Sequence, residues 1–96
     1  MIIYIAGKIN GDPGYLDKFR GEAEKLEALG HIVLNPAALP EGMSKAEYMR
    51  ICFAMIDCAD TVFLLPDWQG SPGAQLELAY CRYIGKPSGG IWEEDA

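Results

Sequence analysis

Short apolar runs alternate along the chain with longer segments in which apolar residues recur at helical spacing. Three of the runs, at residues 2–6, 31–35 and 61–65, are rich in β-branched residues and are followed by Gly or Pro. Runs of this kind are typical of strands that are buried on both faces of a sheet. A weaker run around residues 90–92 predicts a final strand, and the acidic residues after it predict a frayed end.

The intervening segments carry the start and stop signals of helices. An Asp-Pro pair at residues 12–13 predicts an N-cap and a first helical residue, and Gly30 predicts the end of that helix. Residues 44–47 have the composition and spacing of a capping box, which predicts the start of a second helix. The third predicted helix extends over about residues 72–84.

Strands that alternate with helices pair in parallel and are joined by right-handed crossovers. The sequence therefore predicts an α/β fold: a small doubly wound parallel sheet with about four strands and three helices, arranged as a flavodoxin/Rossmann-like three-layer sandwich. Residues 1–96 form a single predicted domain. Ligands of such folds bind beyond the carboxyl ends of the strands, which places the candidate site in the loops at 7–12, 35–43 and 66–73.

Charge and composition restrict the partners. The formal net charge of -6 argues against a nucleic-acid polymer or an anionic membrane surface. No apolar run reaches the roughly 20 residues that span a bilayer, so we expect a cytoplasmic protein with a small-molecule ligand. Three cysteines without a CxxC pair and a single histidine predict no metal site. The loop after the first strand has neither a P-loop nor a GxGxxG motif, and no cofactor is expected.

Glu77 is the first candidate for chemistry. It lies in the third predicted helix, whose N-cap is Ser71, and side chains on a helix lean toward its N-terminus. The carboxylate is therefore expected to point back over Gly73 and Ala74, whose amides have no partners within the helix. Free amides and the helix dipole favour a bound anion, but an ordinary surface glutamate explains the spacing equally well.

The helix that carries Glu77 is apolar around most of its circumference, which predicts burial on more than one side. In so small a domain we expect the second side to be a subunit interface, and hence a homo-oligomer, a dimer or higher. A glutamate in such surroundings is partly desolvated, so we expect its pKa to be raised.

Three further positions have two interpretations each. The loop at residues 7–11 either allows close approach of a ligand, with Lys8 available to an anion, or is a tight turn between strand and helix. Tyr4 is a core aromatic unless a neighbouring site makes its hydroxyl a hydrogen-bond donor. Trp68 is either a lid over the core or a stacking surface for a planar ring.

Three segments resemble the nucleoside 2-deoxyribosyltransferase superfamily, and most closely its short phage- and prophage-associated members. They are residues 3–11 (IYIAGKING), 30–37 (GHIVLNPA) and 64–77 (LLPDWQGSPGAQLE), and the resemblance extends from residue 2 to about residue 87. A Tyr-x-x-Gly strand end together with a Ser-x-Gly-x-x-x-Glu helix start is specific as a combination, although each is weak alone.

The resemblance implies an N-glycosyl-bond enzyme that acts on 2-deoxyribonucleosides or their 5′-monophosphates, by transfer or by hydrolysis. Glu77 matches the nucleophile that attacks the anomeric carbon, and Tyr4 matches the tyrosine that contacts the nucleophile or the sugar. The predicted substrate-binding residues lie in the loops after the first and third strands and are Gly7, Lys8, Ile9, Asn10, Asp67, Trp68, Ser71 and Gly73. Transferases tend to carry Asp at the position of Ser71, whereas relatives that hydrolyse monophosphates carry Ser, which favours a phosphorylated substrate.

One position departs from the pattern of the family. Cys52 stands where the family usually places an Asp that helps to hold the sugar and assists proton transfer. A thiol is a poor substitute for a carboxylate in that role. The alternative function is therefore a non-catalytic nucleotide-binding module on the same scaffold.

Overall fold

The computed structural model describes residues 1–90. Its four strands are β1 (Ile2–Ala6), β2 (Ile32–Leu34), β3 (Thr61–Leu64) and β4 (Ser88–Gly89). Its three α-helices are α1 (Tyr15–Ala28), α2 (Lys45–Cys58) and α3 (Pro72–Ile84). Single 3-10 turns at Pro36–Ala38 and Trp68–Gly70 follow β2 and β3. Within residues 1–90 no helix is long and apolar enough to cross a membrane.

The strands form one parallel sheet in the order β2-β1-β3-β4, which confirms the predicted α/β fold. The chain leaves β1 for β2 and then returns past β1 to β3, so the direction of winding reverses between β1 and β3. Tyr4 lies in central strand β1, paired with Leu34 on one side and Val62 on the other. The carboxyl ends of β1 and β3 therefore border the crevice in which ligands of such sheets bind.

Alternate residues of β1 belong to two cores, one on each face of the sheet. Ile3 and Ile5 pack in the core that α1 covers, whereas Tyr4 and Ala6 pack in the core that α2 and α3 cover. Strand side chains alternate between faces with a period of two, so a strand between two helical layers is apolar at every position. The molecule is therefore the predicted three-layer sandwich.

Helices α2 and α3 begin where the sequence predicts. At α2, Ser44 Oγ accepts a hydrogen bond from Glu47 N at 3.1 Å, and Glu47 Oε1 accepts one from Ser44 N at 2.8 Å. At α3, Ser71 Oγ accepts a hydrogen bond from Ala74 N at 3.1 Å. Because the hydroxyl of Ser71 already takes this amide, the Ala74 N–H is not free to bind an anion.

Helix α1 begins later than predicted. Its first residue is Tyr15 and its N-cap is Gly14, so the assignment of Asp12 as the N-cap is wrong. The carboxylate of Asp12 instead accepts a hydrogen bond from Gly14 N at 2.9 Å and binds Lys18 through its other oxygen. Both carboxylate oxygens are thus engaged away from the first amides of α1. Gly30 follows the helix with a φ of 92°, in agreement with its predicted place at the helix end.

The final strand lies earlier than predicted. β4 consists of Ser88–Gly89, which pair with Val62 and Phe63 of β3. Val62 N donates to Pro87 O at 3.0 Å, and this bond places the strand directly after Pro87. Of the strand predicted around residues 90–92, residues 91 and 92 lie outside the described residues, as does the acidic end at 93–96.

Candidate active site

A phenol and a carboxyl group form a buried pair beside the crevice. Tyr4 donates its hydroxyl hydrogen to Oε2 of Glu77, with an oxygen–oxygen distance of 2.6 Å. Tyr4 is 1% exposed and Glu77 is 5% exposed, and Glu77 is the only charged residue among residues 1–90 that is buried. Burial of a carboxylate costs free energy that a surface position avoids, so Glu77 is not an ordinary surface glutamate.

Strand alternation and helix geometry place Tyr4 and Glu77 on the same face of the sheet. Tyr4 points toward α2 and α3 because its neighbours Ile3 and Ile5 point toward α1. Glu77 leans toward the N-terminus of α3, and the Ser71 cap sets where that helix begins. The resulting hydrogen bond joins two residues that are 73 positions apart in the chain.

The protonation states of the site follow from its burial. Burial raises the pKa of Glu77 from an ordinary value of 4.5 to about 7, and hydrogen bonds from Tyr4 and Cys52 oppose part of that rise. Burial, together with the nearby charge of Glu77, raises the pKa of the Tyr4 hydroxyl, which therefore stays a donor. Burial also raises the pKa of the Cys52 thiol to about 11. At neutral pH Glu77 is divided between its two protonation states, beside two neutral groups.

A cavity of about 810 Å³ extends from this pair to the surface. Its walls come from the loops that follow β1 and β2, from one face of α2 and from the start of α3. Ligand cavities commonly measure about 300–1,000 Å³. The cavity is therefore large enough to hold a nucleoside or a nucleotide against Glu77.

Five of the predicted substrate-binding residues line this cavity together with Tyr4, Glu77 and Cys52. They are Gly7, Ile9, Asn10, Ser71 and Gly73. The strand ends and the start of α3 bring them together at the crevice, as expected for a parallel sheet. Their contacts with a substrate stay predictions.

Lys8, Asp67 and Trp68 lie outside the lining of the cavity. Lys8 N donates to Asp67 Oδ1 at 3.1 Å, and the other carboxylate oxygen of Asp67 binds Lys18. Trp68 is half-buried and packs against the core on the side of α2 and α3. Of the two interpretations of Trp68, this position favours the lid over the core.

Gly7 has a packing reason as well as a place in the cavity wall. A Cβ at residue 7 would lie 2.6 Å from Cδ1 and 2.9 Å from Cβ of Leu65, too close for any side chain. A Cβ at Gly73 would lie 3.3 Å from the flexible end of Met49. Gly7 is thus required by the close approach of β1 to the end of β3, whereas Gly73 keeps space open next to Met49 in the cavity.

Many other residues that line the cavity are not among the individually predicted site residues. They include Asp12, Tyr15, Glu41, Lys45, Tyr48 and Met49. Tyr15 donates to Glu41 Oε1 at 2.8 Å, and Tyr48 donates to Pro40 O at 2.6 Å, so both tyrosines hold the loop after β2. A signal for Tyr48 existed, because it lies four residues before Cys52 and therefore shares its face of α2.

The chain is thus a doubly wound α/β protein with a buried carboxyl group beside the crevice between β1 and β3. The profile of the family described as Domain of unknown function (DUF4406) matches residues 1–88, and the chain belongs to that family. A solved structure described as "2-desoxiribosyltransferase from Leishmania mexicana" is similar in fold, with a TM-score of 0.66 and 21% sequence identity. The similarity covers 93% of this chain but 62% of that chain, so this chain spans less than two-thirds of that protein. No curated protein sequence matches significantly.

Proposed function

We propose that this protein breaks the N-glycosyl bond of 2-deoxyribonucleosides or of their 5′-monophosphates, with Glu77 as the nucleophile. The observation that carries the proposal is the buried carboxyl of Glu77, held by the Tyr4 hydroxyl at 2.6 Å where a cavity of about 810 Å³ reaches it. The fold that the chain shares with a 2-deoxyribosyltransferase supports the same class of reaction. Transfer to a second base and hydrolysis by water are two outcomes of one mechanism.

The reaction proceeds by two displacements at the anomeric carbon. In the first, an oxygen of ionised Glu77 bonds to that carbon as the carbon–nitrogen bond breaks, and the electron pair of the broken bond leaves with the base. The base takes up one proton as it departs, and the sugar is held as an ester of Glu77. In the second, water or another base bonds to the same carbon, loses one proton and releases the carboxylate.

The surroundings of Glu77 suit a nucleophile near neutral pH. With a pKa of about 7, close to half of the carboxyl groups are ionised at pH 7, and the carboxylate is more basic than an exposed one. The hydrogen bond from Tyr4 fixes Oε2 and thereby orients the carboxylate. Tyr4 is therefore proposed to orient the nucleophile rather than to transfer a proton.

Cys52 favours a second candidate function, a nucleotide-binding module without turnover. The departing base needs a proton, and a thiol whose pKa is about 11 is a weak acid at neutral pH. In this alternative the cavity holds its nucleoside or nucleotide intact. The two candidates therefore differ in whether base is released, and agree on where the ligand binds.

Release of free base decides between the two candidates. The purified protein is incubated with each 2-deoxyribonucleoside and each 5′-monophosphate, with and without an acceptor base, and the free and newly attached bases are separated by chromatography. We expect base release that disappears in Glu77→Gln and in Glu77→Ala. Glu27→Gln, which changes an exposed glutamate of α1, is the matched control and is expected to behave as the wild type. Binding of a nucleotide without base release would instead establish the binding module.

We also propose that the protein forms a homo-oligomer through α3. Leu76 and Tyr83, two turns apart on this helix, are 57% and 91% exposed, and Leu76 also lines the cavity. A second copy that covers this apolar face would remove it from water and would close the cavity at Leu76. Light scattering is expected to show a dimer or a larger assembly that dissociates in Tyr83→Glu. A monomeric wild type would contradict this assembly.

A further inference from the structure

Two loops frame the crevice between β1 and β3, and one side chain ties them together. Lys18, in the first turn of α1, donates to the carbonyl oxygen of Lys8 at 2.8 Å. Its ammonium group also binds one carboxylate oxygen of Asp12 and one of Asp67. Asp12 and Lys8 belong to the loop after β1, whereas Asp67 belongs to the loop after β3.

The two aspartates that bind Lys18 are also hydrogen-bonded to the backbone. The second carboxylate oxygen of Asp67 accepts a hydrogen bond from Lys8 N at 3.1 Å, and the second oxygen of Asp12 accepts one from Gly14 N at 2.9 Å. The ammonium group of Lys18 therefore has three acceptors, one for each of its hydrogens. An arrangement with all three donors used fixes the positions of the segments relative to one another.

The direction of the pKa shift of Lys18 also indicates that its ammonium group stays charged in this arrangement. Burial acts to lower the pKa of Lys18, but the bonds to Asp12 and Asp67 outweigh it, and the pKa is raised above its usual value. The side chains of Lys18, Asp12 and Asp67 are 26%, 27% and 35% exposed. Ion pairs that are exposed to this degree add little to stability. The role of these ion pairs is therefore inferred from the segments that they connect and not from their contribution to stability.

The segment that Lys18 holds is a wall of the cavity. Ile9, Asn10 and Asp12 line the cavity. Lys18 binds the loop at the Lys8 carbonyl and at Asp12, on either side of Ile9 and Asn10. Lys18 itself does not line the cavity, and it belongs to α1, which packs on the face of the sheet opposite the one that α3 covers. Any effect of Lys18 on a ligand is therefore exerted through the loop and not by direct contact.

We propose that Lys18 is a positioning residue that sets the substrate-facing wall at residues 9–12 and thereby determines the affinity for the substrate. The inference rests on the proposed function for the identity of the substrate. The ties to Asp12, Asp67 and the Lys8 carbonyl carry it. Loss of the ammonium group frees the wall without altering the buried pair of Tyr4 and Glu77.

The test compares Lys18→Met, Lys18→Arg and the control Lys25→Met, whose side chain is exposed on the same helix. With the best 2-deoxyribonucleoside as substrate, Lys18→Met is expected to raise KM about tenfold while kcat changes less than about twofold, since a displaced wall loses contacts that the ground state and the transition state share. Lys18→Arg is expected to recover most of the loss, and Lys25→Met to match the wild type. Asp67→Asn, a milder change outside the cavity lining, is expected to shift KM in the same direction.

A second readout needs no turnover. Amide hydrogen exchange at residues 9–12 is expected to be faster in Lys18→Met than in Lys25→Met, at equal protection of β1. Unchanged exchange overturns the proposal whether or not the protein is an enzyme. Faster exchange with an unchanged KM also overturns it, because the ties would then serve stability alone. If the wild type neither releases base nor binds a 2-deoxyribonucleoside, the proposed function fails, and with it the substrate role of the wall, while the exchange result still decides whether Lys18 holds the loop.

Discussion

The buried carboxyl of Glu77 predicts how the stability of the fold depends on pH. Its pKa is about 7 in the folded chain and near 4.5 when the carboxyl is exposed to water. A difference of about 2.5 between these pKa values corresponds to about 3 kcal/mol. Because the folded pKa is the higher one, the folded state binds the proton more tightly. This contribution is fully present below pH 4.5 and is lost as the pH rises to about 7.

Replacement of Glu77 by Gln removes this dependence while it preserves the size of the side chain and an acceptor for the Tyr4 hydroxyl. Carboxylates with lowered pKa, such as those of Asp12 and Glu47, follow the opposite trend, but they are present in both proteins. The difference in unfolding free energy between wild type and Glu77→Gln therefore isolates residue 77. We expect the wild type to lose about 2 to 3 kcal/mol relative to the variant between pH 5 and pH 8.

Urea unfolding followed by circular dichroism at half-unit steps of pH measures this difference. Glu27→Gln, an exposed glutamate of α1, is the control, and its curve is expected to stay parallel to that of the wild type. A difference in unfolding free energy between wild type and Glu77→Gln that stays constant between pH 5 and pH 8 would show that the pKa of Glu77 is not raised in the folded chain. A wild type that gains stability relative to the variant as the pH rises would mean that a cation, not burial, dominates the surroundings of Glu77.

Three further predictions concern residues that line the cavity together with Glu77. Tyr4→Phe removes a hydrogen bond to a charged group that is worth about 1.5–3 kcal/mol, so the pKa of Glu77 should rise by about 1 to 2. The infrared band of the carboxyl measures this pKa, and the control Tyr83→Phe should leave it unchanged. Cys52→Asp places a second carboxylate beside Glu77 and should lower the unfolding free energy at pH 8. Base release that appears only in this variant would show that the natural chain has lost turnover. Ser71→Ala removes the N-cap of α3 and should cost about 1 kcal/mol in urea unfolding.

Much of the fold was predictable because its signals are local. The apolar runs at 2–6 and 61–65 contain β1 and β3, and the capping box at 44–47 starts α2 as expected. The start of α1 was not predictable from local pattern, since an N-cap signal at Asp12 competes with an ion pair to Lys18, six residues further on. The last strand was likewise displaced, because its register depends on pairing with β3 and not on its own weak sequence.

In the candidate site, too, some features follow from the local sequence and others do not. Helix geometry alone predicts that Glu77 leans over the start of α3, and the apolar surroundings predict its raised pKa. Nothing local predicts that Trp68 packs on the core instead of lining the cavity, or that Lys8 and Asp67 bind each other. These outcomes depend on which loops meet at the strand ends, and therefore on the order of the strands.

The class of fold and the lean of Glu77 over the start of α3 follow from the sequence alone, because strand and helix periods, caps and the direction of a helical side chain are short-range properties of the chain. The hydrogen-bond partner of that carboxyl depends instead on long-range contacts. The hydroxyl of Tyr4, 73 residues away, reaches Glu77 because β1 is a central strand and turns Tyr4 toward α3. The ties of Lys18 to two loops exist because the reversal of winding brings the ends of β1 and β3 side by side.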